Sequence, residues 1–274
     1  MRRKKMAGWY VLLGAQLVFA LFPIYWMLVT SLKSFEEIYT VQPVFWPARL
    51  VWENYLTVFK QFDFGTGLAN SLLVALVVSL FSIAVSAFSA YAVVRLRFRG
   101  RRGMPRLFLF SYLIPQTILF IPVYIFLVRL GLTDSVAGLM LVYPTIVIPY
   151  ATWVLITYFQ TLPLELEEAA RVDGATRWQT ILRIVLPASY PALVSTFIFS
   201  FTLSWSEFIY ALVIVNSKLN RTITISLSSM MVADVIPWGP LMAGAVLSAL
   251  PIMVLYTLAS RHIVTGLTLG SVKE

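Results

Sequence analysis

Reactive residue types are scarce in this chain of 274 residues. There is no cysteine, so thiol nucleophiles, disulfides and cysteine zinc sites are excluded. The single histidine, His262, cannot build a multi-histidine metal site, and its place just after the last apolar run suits a histidine at a membrane interface. No Gly-x-x-x-x-Gly-Lys-Ser/Thr loop occurs, so the chain does not itself cradle a nucleoside triphosphate. No catalytic residue and no metal ligand set emerges. Two features remain: the segment Thr161 to Pro191, and the carboxylate of Glu207 inside an apolar stretch.

The segment reads TLPLELEEAARVDGATRWQTILRIVLPASYP. Glu165, Glu167 and Glu168 follow Pro163, and proline with acidic residues suits a helix N-terminus, where unpaired N–H groups and the positive dipole end lie. Ala169 and Ala170 favour helix and add almost no bulk. Asp173-Gly174 predicts a stop, because glycine takes the left-handed conformation that ends helices. A second helix is expected from Thr176, with Trp178, Ile181, Leu182 and Val185 in one apolar stripe at i, i+3, i+4, i+7. Pro187 and Pro191 should then redirect the chain. The chemistry of such a unit is docking: its small-residue stretch lets another protein's surface approach closely.

Glu207 lies inside the stretch Ile184 to Val215, which carries no other charge. A carboxylate at a helix centre in lipid costs about 2.5–3.5 kcal/mol on insertion scales, so it needs water, a polar ligand or a partner. Trp205, Ser206 and Tyr210 beside it suit any of these. The stretch is longer than one span, so Glu207 could also mark a position near the outer interface.

These features must be carried by elements that cross a bilayer. The chain is 59% hydrophobic and 12% charged, with a mean hydropathy of +0.84. Soluble domains carry about 25% charged residues. A spanning helix needs about 20 mostly apolar residues. Runs of that kind are Met6 to Leu32, Phe64 to Val94, Leu107 to Val128, Ser135 to Leu164, Ile184 to Ser206 and Val235 to Ser260. The expected fold is therefore all-α, with six transmembrane helices. The first run follows the basic residues Arg2 to Lys5, but it is longer than the roughly 7–15 residues of a signal h-region and has aromatic residues at both ends, so a retained anchor is expected.

The net charge of +9 reflects topology rather than nucleic-acid binding, since no basic helix face or aromatic-basic motif is present. Fifteen of the 21 basic residues fall on one side: Arg2 to Lys5, the Arg95–Arg106 cluster, Arg171, Arg177, Arg183, Arg261 and Lys273. That asymmetry puts both termini and the Thr161–Pro191 segment in the cytoplasm. The Arg95–Arg106 cluster reads as a positive-inside anchor, with anionic lipid as a second use. On the other side, Ser31 to Asp63 forms a long loop, and Asn216 to Pro240 carries the polar, β-branched patch Arg221 to Ser226. The chain divides into a first helix with its outer loop (1–66), a core of five helices (67–265) that includes residues 161–187, and a tail (266–274).

Glu168-Ala169-Ala170, three residues, Gly174, nine residues, then Ile184, one residue and Leu186-Pro187 resemble the EAA loop of ABC-importer permeases, including the variant Asp173-Gly174-Ala175. Asn70-Ser71-Leu72 and the glycine-containing end Gly266 to Lys273 are similar to the maltose- and glycerol-phosphate-permease-like branch. Trp205-Ser206-Glu207-Phe208 departs from that branch, which commonly has Trp-Asn before an apolar residue.

The resemblance implies a permease subunit of a binding-protein-dependent importer, for a sugar or sugar derivative, in a bacterial inner membrane. It implies that Glu168, Ala169, Ala170, Asp173, Gly174 and Ala175 form a coupling helix between helices 4 and 5. It implies three kinds of partner besides the bilayer: a second, different permease, a cytoplasmic ATPase dimer holding ATP and Mg, and an extracytoplasmic binding protein. Trp205, Glu207 and Tyr210 become candidates for the translocation path, and a contact of Glu207 with the companion permease is the competing reading. A secondary transporter would instead be expected to carry paired intramembrane charges or broken helices. A membrane scaffold subunit is the other alternative.

Overall fold

A computed structural model describes residues 2–232 and 236–268, with side chains described over 9–231 and 236–260. The side chains of Arg2 to Lys5, Arg261, His262 and Lys273, and the end of the chain from 269, lie outside that description. The described residues contain helices and no strand, as expected where lipid leaves a backbone only itself to bond with.

In chain order the helices are α1 (Arg2–Thr30), α2 (Phe35–Ile38), α3 (Glu53–Gln61), α4 (Phe64–Arg95), α5 (Met104–Leu113), α6 (Gln116–Leu130), α7 (Val136–Val142) and α8 (Pro144–Phe159). Then come α9 (Glu165–Val172), α10 (Arg177–Ala188, with a π turn over Ile181–Val185), α11 (Tyr190–Ser206), α12 (Ile209–Ile214), α13 (Ile223–Ser229) and α14 (Trp238–Thr268).

Four stretches are long and apolar enough to cross a membrane: Trp9–Thr30, Phe64–Arg95, Val136–Phe159 and Trp238–Ser260. Two further spans exist only if bent pairs are each counted as one, which gives up to six. The run Leu107 to Val128, expected as a single span, breaks between α5 and α6 with a bend of 91°. Pro115 is the physical reason: the residue before a proline is pushed out of the α region, and Ile114 is extended at φ −66, ψ 124. The second bend, 76° between α10 and α11, falls where Pro187 and Pro191 were expected to redirect the chain. The patch Arg221 to Ser226, expected as loop, enters helix α13 at Ile223.

The chain forms two compact units, Met1–Gly65 with Ile225–Pro251, and Thr66–Thr224 with Ile252–Glu274. In the first, Asn54 Nδ2 donates to the carbonyls of Ser31 and Lys33, both at 3.0 Å, and the Ser31 hydroxyl meets Tyr55 OH at 2.8 Å. A Cβ on Gly239 would meet the Asn54 amide at 2.7 Å, so glycine there lets the start of α14 lie against this knot. In the second unit, α8 packs between α5 and α11, and Tyr150 stacks on Phe199 with ring centroids 3.8 Å apart. Between helices in lipid, close packing replaces the hydrophobic drive and favours small residues. Ala87, Ala90 and Ser86 of α4 are buried accordingly.

Candidate functional site

The segment 161–191 folds locally as its sequence dictates. Helix α9 opens after Pro163 with Glu165, Glu167 and Glu168 in its first turn, where the helix dipole favours carboxylates. It closes in a Schellman motif: Gly174 N–H donates to Arg171 O at 3.0 Å, and Ala175 N–H donates to Ala170 O at 2.9 Å. Gly174 has φ +83, the left-handed conformation that was expected of it. Helix α10 then starts with a capping box: Gln179 N–H donates to Thr176 Oγ1 at 3.3 Å and Thr176 N–H to Gln179 Oε1 at 2.8 Å.

Ile181 and Val185 of the expected stripe are buried in a cluster with Ala87, Ala90, Tyr91, Leu155, Ile156 and Phe159. Trp178 and Leu182 stay exposed, and Trp178 stacks on Phe88 at 5.0 Å. The π turn at Ile181–Val185 widens the helix inside this stripe.

Of the six residues singled out for docking, Glu168, Ala169, Asp173 and Gly174 are exposed, Ala175 is half-buried and Ala170 is buried. Four of them form an outward ridge, and Ala170 seats it. The residue that fixes the ridge was not singled out. Glu167 is 1% exposed. Its Oε1 accepts from Arg95 Nε at 2.6 Å, and its Oε2 accepts from Tyr91 OH at 3.0 Å. Arg95 Nη2 also donates to Leu162 O at 2.8 Å. The end of α4 thus grips both the entry to α9 and its buried carboxylate. The available signal was spacing: residues 167 and 170 share one helix face, so an inward Ala170 implies an inward Glu167. Around the ridge Leu166, Val172 and Trp178 are exposed, Val172 at 88%. Exposed apolar side chains thus gather on an otherwise polar segment.

Glu207 occupies the break between α11 and α12, with extended backbone. Its carboxylate accepts from Tyr210 N–H at 2.8 Å and Ala211 N–H at 3.1 Å, so it caps α12. The Tyr143 hydroxyl lies beside it. Thr224 Oγ1 donates to its backbone carbonyl at 2.9 Å. Trp205 and Tyr210 are 3% and 2% exposed, whereas Glu207 is half-buried. Sequence spacing missed the capping role because α12 is only one and a half turns long.

Two further polar knots organise the loops of this unit. Asn70 Nδ2 donates to Leu219 O and Arg221 O, and Ser71 Oγ accepts from Ile223 N–H at 2.8 Å. Asp134, itself at φ +49, accepts on Oδ1 from Ser217 N–H at 2.8 Å and Asn216 N–H at 2.9 Å. These donors, Ser217 first and then Asn216, hold its carboxyl below the usual carboxylate range. A depressed pKa stabilises the knot at every pH above the ordinary value of about 3.9, and the tie is lost as pH falls through the lower folded value. Hydrogen exchange at the Asn216 and Ser217 amides should therefore stay slow from neutral pH to about 4. Asp134→Ala should speed exchange at those two amides and leave α8 and α11 protected. Unchanged protection in the variant would show that the carboxylate does not hold the loop.

Residues 82–268, which include all of 161–191, match the profile of a family described as binding-protein-dependent transport system inner membrane component. The chain is 34% identical over 268 residues to the inner membrane ABC transporter permease protein YcjP of Escherichia coli (strain K12), covering 97% of this chain and 96% of that one. It is 35% identical over 283 residues to the trehalose/maltose transport system permease protein MalG of Thermococcus litoralis, covering 100% and 99%. It is 33% identical over 252 residues to the diacetylchitobiose uptake system permease protein DasC of Streptomyces coelicolor, covering 92% and 91%. Its fold matches a chain in the crystal structure of a bacterial ABC transporter that imports the acidic polysaccharide alginate, with TM-score 0.82, 23% identity and coverage of 95% and 98%.

Proposed function

Because the chain belongs to the family of binding-protein-dependent transport system inner membrane components, we propose that it is the permease subunit of an ATP-driven importer in a bacterial inner membrane, with a sugar or sugar derivative as cargo. Of the relatives named above, one is an ABC transporter permease protein, one a permease protein of a trehalose/maltose transport system and one a permease protein of a diacetylchitobiose uptake system. The observation that carries the coupling role is the α9–Gly174–α10 unit: an exposed ridge with apolar neighbours, fixed from behind by the buried Glu167–Arg95 pair. Residues 168–170 and 173–175 dock on a cytoplasmic ATPase dimer, which holds the ATP and Mg. A second, different permease completes the pathway, and an extracytoplasmic binding protein delivers cargo. Each bent helix pair counts as one span, giving six spans with both termini and the Arg95–Arg106 loop in the cytoplasm. Trp205, Glu207 and Tyr210 mark the path region. Glu207 is the member of the three that keeps exposure, with Trp205 and Tyr210 supporting it from inside.

Affinity purification of the chain, expressed with its neighbouring genes, tests this reading. A P-loop ATPase and a binding protein are expected to copurify. A reporter active only outside the cytoplasm should be silent when fused near Gly100 and active near Ser135. Purification without any ATPase would overturn the importer reading, and the reverse reporter pattern would overturn the orientation.

A further inference from the structure

Arg97, Arg99, Arg101, Arg102 and Arg106 crowd the loop between α4 and α5 and the first turn of α5. The loop encloses a cleft of about 510 Å³, lined by Arg97, Phe98, Gly100, Arg101, Arg102 and Gly103. That volume falls in the range of about 300–1,000 Å³ typical of small-molecule sites. Three arginines and no carboxylate stand in its wall. Arg97 and Arg102 are exposed. Among the described residues no ion pair reaches any of the five arginines. Glu167, the carboxylate at this end of α4, is already taken by Arg95 and Tyr91.

The loop is built as a fixed turn. Arg101 Nη2 donates to Val94 O at 3.0 Å and Nη1 to Leu96 O at 3.2 Å. Its cation thus sits on the last carbonyls of α4, where the helix dipole favours positive charge. Gly100 takes φ +86, and Gly103 N–H donates to Gly100 O at 2.9 Å. On either side of the turn, Leu96, Met104 and Phe108 pack against the buried cluster that holds Ala87, Tyr91 and Phe159. Arg97 and Arg102 therefore line the cleft from an anchored backbone. Arginines lining one cleft repel one another, and an anion bound among them relieves that repulsion.

Location selects the kind of anion. Helix α4 is long and apolar enough to span a membrane and ends at Arg95, so the loop lies at a membrane surface in either orientation. The apolar side chains next to the cleft are open: Phe98 is exposed, and so are Leu107 and Phe110 on α5, the last at 68%. A soluble anion would use the arginines alone. A phospholipid meets the arginines with its phosphate and the apolar edge with its chains. Guanidinium groups bind phosphate oxygens in pairs, and basic segments beside a span attract anionic lipid. We propose that this cleft seats one anionic phospholipid, its phosphate held between Arg97 and Arg102 and its acyl chains laid along Leu107 and Phe110. Arg101 braces the turn and adds its charge. The seat adds to the importer reading and does not depend on the cargo.

The test uses the purified transporter complex in phosphatidylcholine nanodiscs that hold a trace of phosphatidylglycerol with a photoreactive acyl chain. Labelled peptides are mapped by mass spectrometry. Label is expected on the start of α5, and unlabelled phosphatidylglycerol should displace it where added phosphatidylcholine does not. Arg97→Gln combined with Arg102→Gln should lower this labelling about tenfold, since each basic side chain at an anionic surface contributes several-fold. Both positions are exposed, so the variant should still assemble. Arg99→Gln combined with Arg106→Gln removes the same charge from the same cluster but outside the cleft wall, and should lower labelling far less. Equal losses in the two double variants would reduce the cluster to a diffuse positive field and overturn the proposal. So would full labelling of the Arg97 and Arg102 variant, or displacement by phosphatidylcholine as readily as by phosphatidylglycerol. Displacement by inorganic phosphate as readily as by phosphatidylglycerol would assign the cleft to a soluble anion and overturn it too. A complex that copurifies with its ATPase and binding protein yet fails these tests fails this proposal alone.

Discussion

Glu167→Ala is expected to destabilise the cytoplasmic end of the second unit by about 3–5 kcal/mol, the usual cost of removing one partner from a buried ion pair. The reason is what it leaves behind. The Arg95 side chain is 12% exposed, and without Glu167 its Nε faces no carboxylate. The Tyr91 hydroxyl loses its acceptor as well. Helix α9 would remain tied through Arg95 and Leu162 O, so the ridge should loosen rather than unfold.

A double-mutant cycle with Arg95→Met, Glu167→Leu and both together separates pair from packing. Each single variant should melt well below the wild-type complex. The double variant should recover much of the loss, because an apolar pair of similar volume can replace a buried ion pair without penalty. ATP hydrolysis uncoupled from cargo is the expected functional readout in the single variants. If both singles melt and transport like wild type, the clamp does not position the ridge.

Gly174→Pro is expected to abolish transport while the chain still inserts. Proline locks φ near −65°, and Gly174 sits at φ +83. Proline also lacks the N–H that donates to Arg171 O. The turn between α9 and α10 cannot form in that variant, so the exposed ridge and α10 can no longer be presented together. Gly174→Ala is the graded control. Nothing lies within 4 Å of a Cβ added there, so alanine costs only the backbone strain of a left-handed residue, about 1–2 kcal/mol. A partial defect is expected with alanine and a complete one with proline. Glu168→Lys, at an exposed position, should leave the melting temperature unchanged and weaken ATPase capture. Full transport by the proline variant, or by Glu168→Lys with normal ATPase recovery, would remove the docking role from this loop.

These two experiments probe features with different origins. The Gly174 turn was legible in the sequence because its causes are local. A left-handed residue calls for glycine, a capping box needs only Thr176 and Gln179, and an acidic first turn answers a dipole within the same helix. The membrane class was legible for a similar reason, since apolar run length is a property of consecutive residues. The bend at Pro115 was available on the same local grounds but was masked by the unbroken apolarity around it.

The partners of Glu167 were not legible. Arg95 lies 72 positions earlier, and which face of α9 turns inward depends on how α4, α8 and α10 pack. In a soluble helix an apolar stripe would reveal that face. In α4 and α8 most positions are apolar, because lipid and protein interior make the same demand on side chains, so apolar periodicity carries little information, and only the small-residue spacing of Ser79, Ser82 and Ser86, all buried, marks the inner face of α4. The same limit applies to Glu207, whose sequence position pointed to a carboxylate in need of a partner. The tertiary structure decided that two N–H groups of α12 satisfy it while Trp205 and Tyr210 turn inward. It applies also to Lys33, an ordinary loop lysine in the sequence. The structure leaves it 2% exposed and sets its Nζ over the Trp26 ring. Local backbone chemistry was therefore fixed by the residues themselves, and the pairing of distant polar groups was fixed by helix rotation and tilt, which an evenly apolar sequence does not encode.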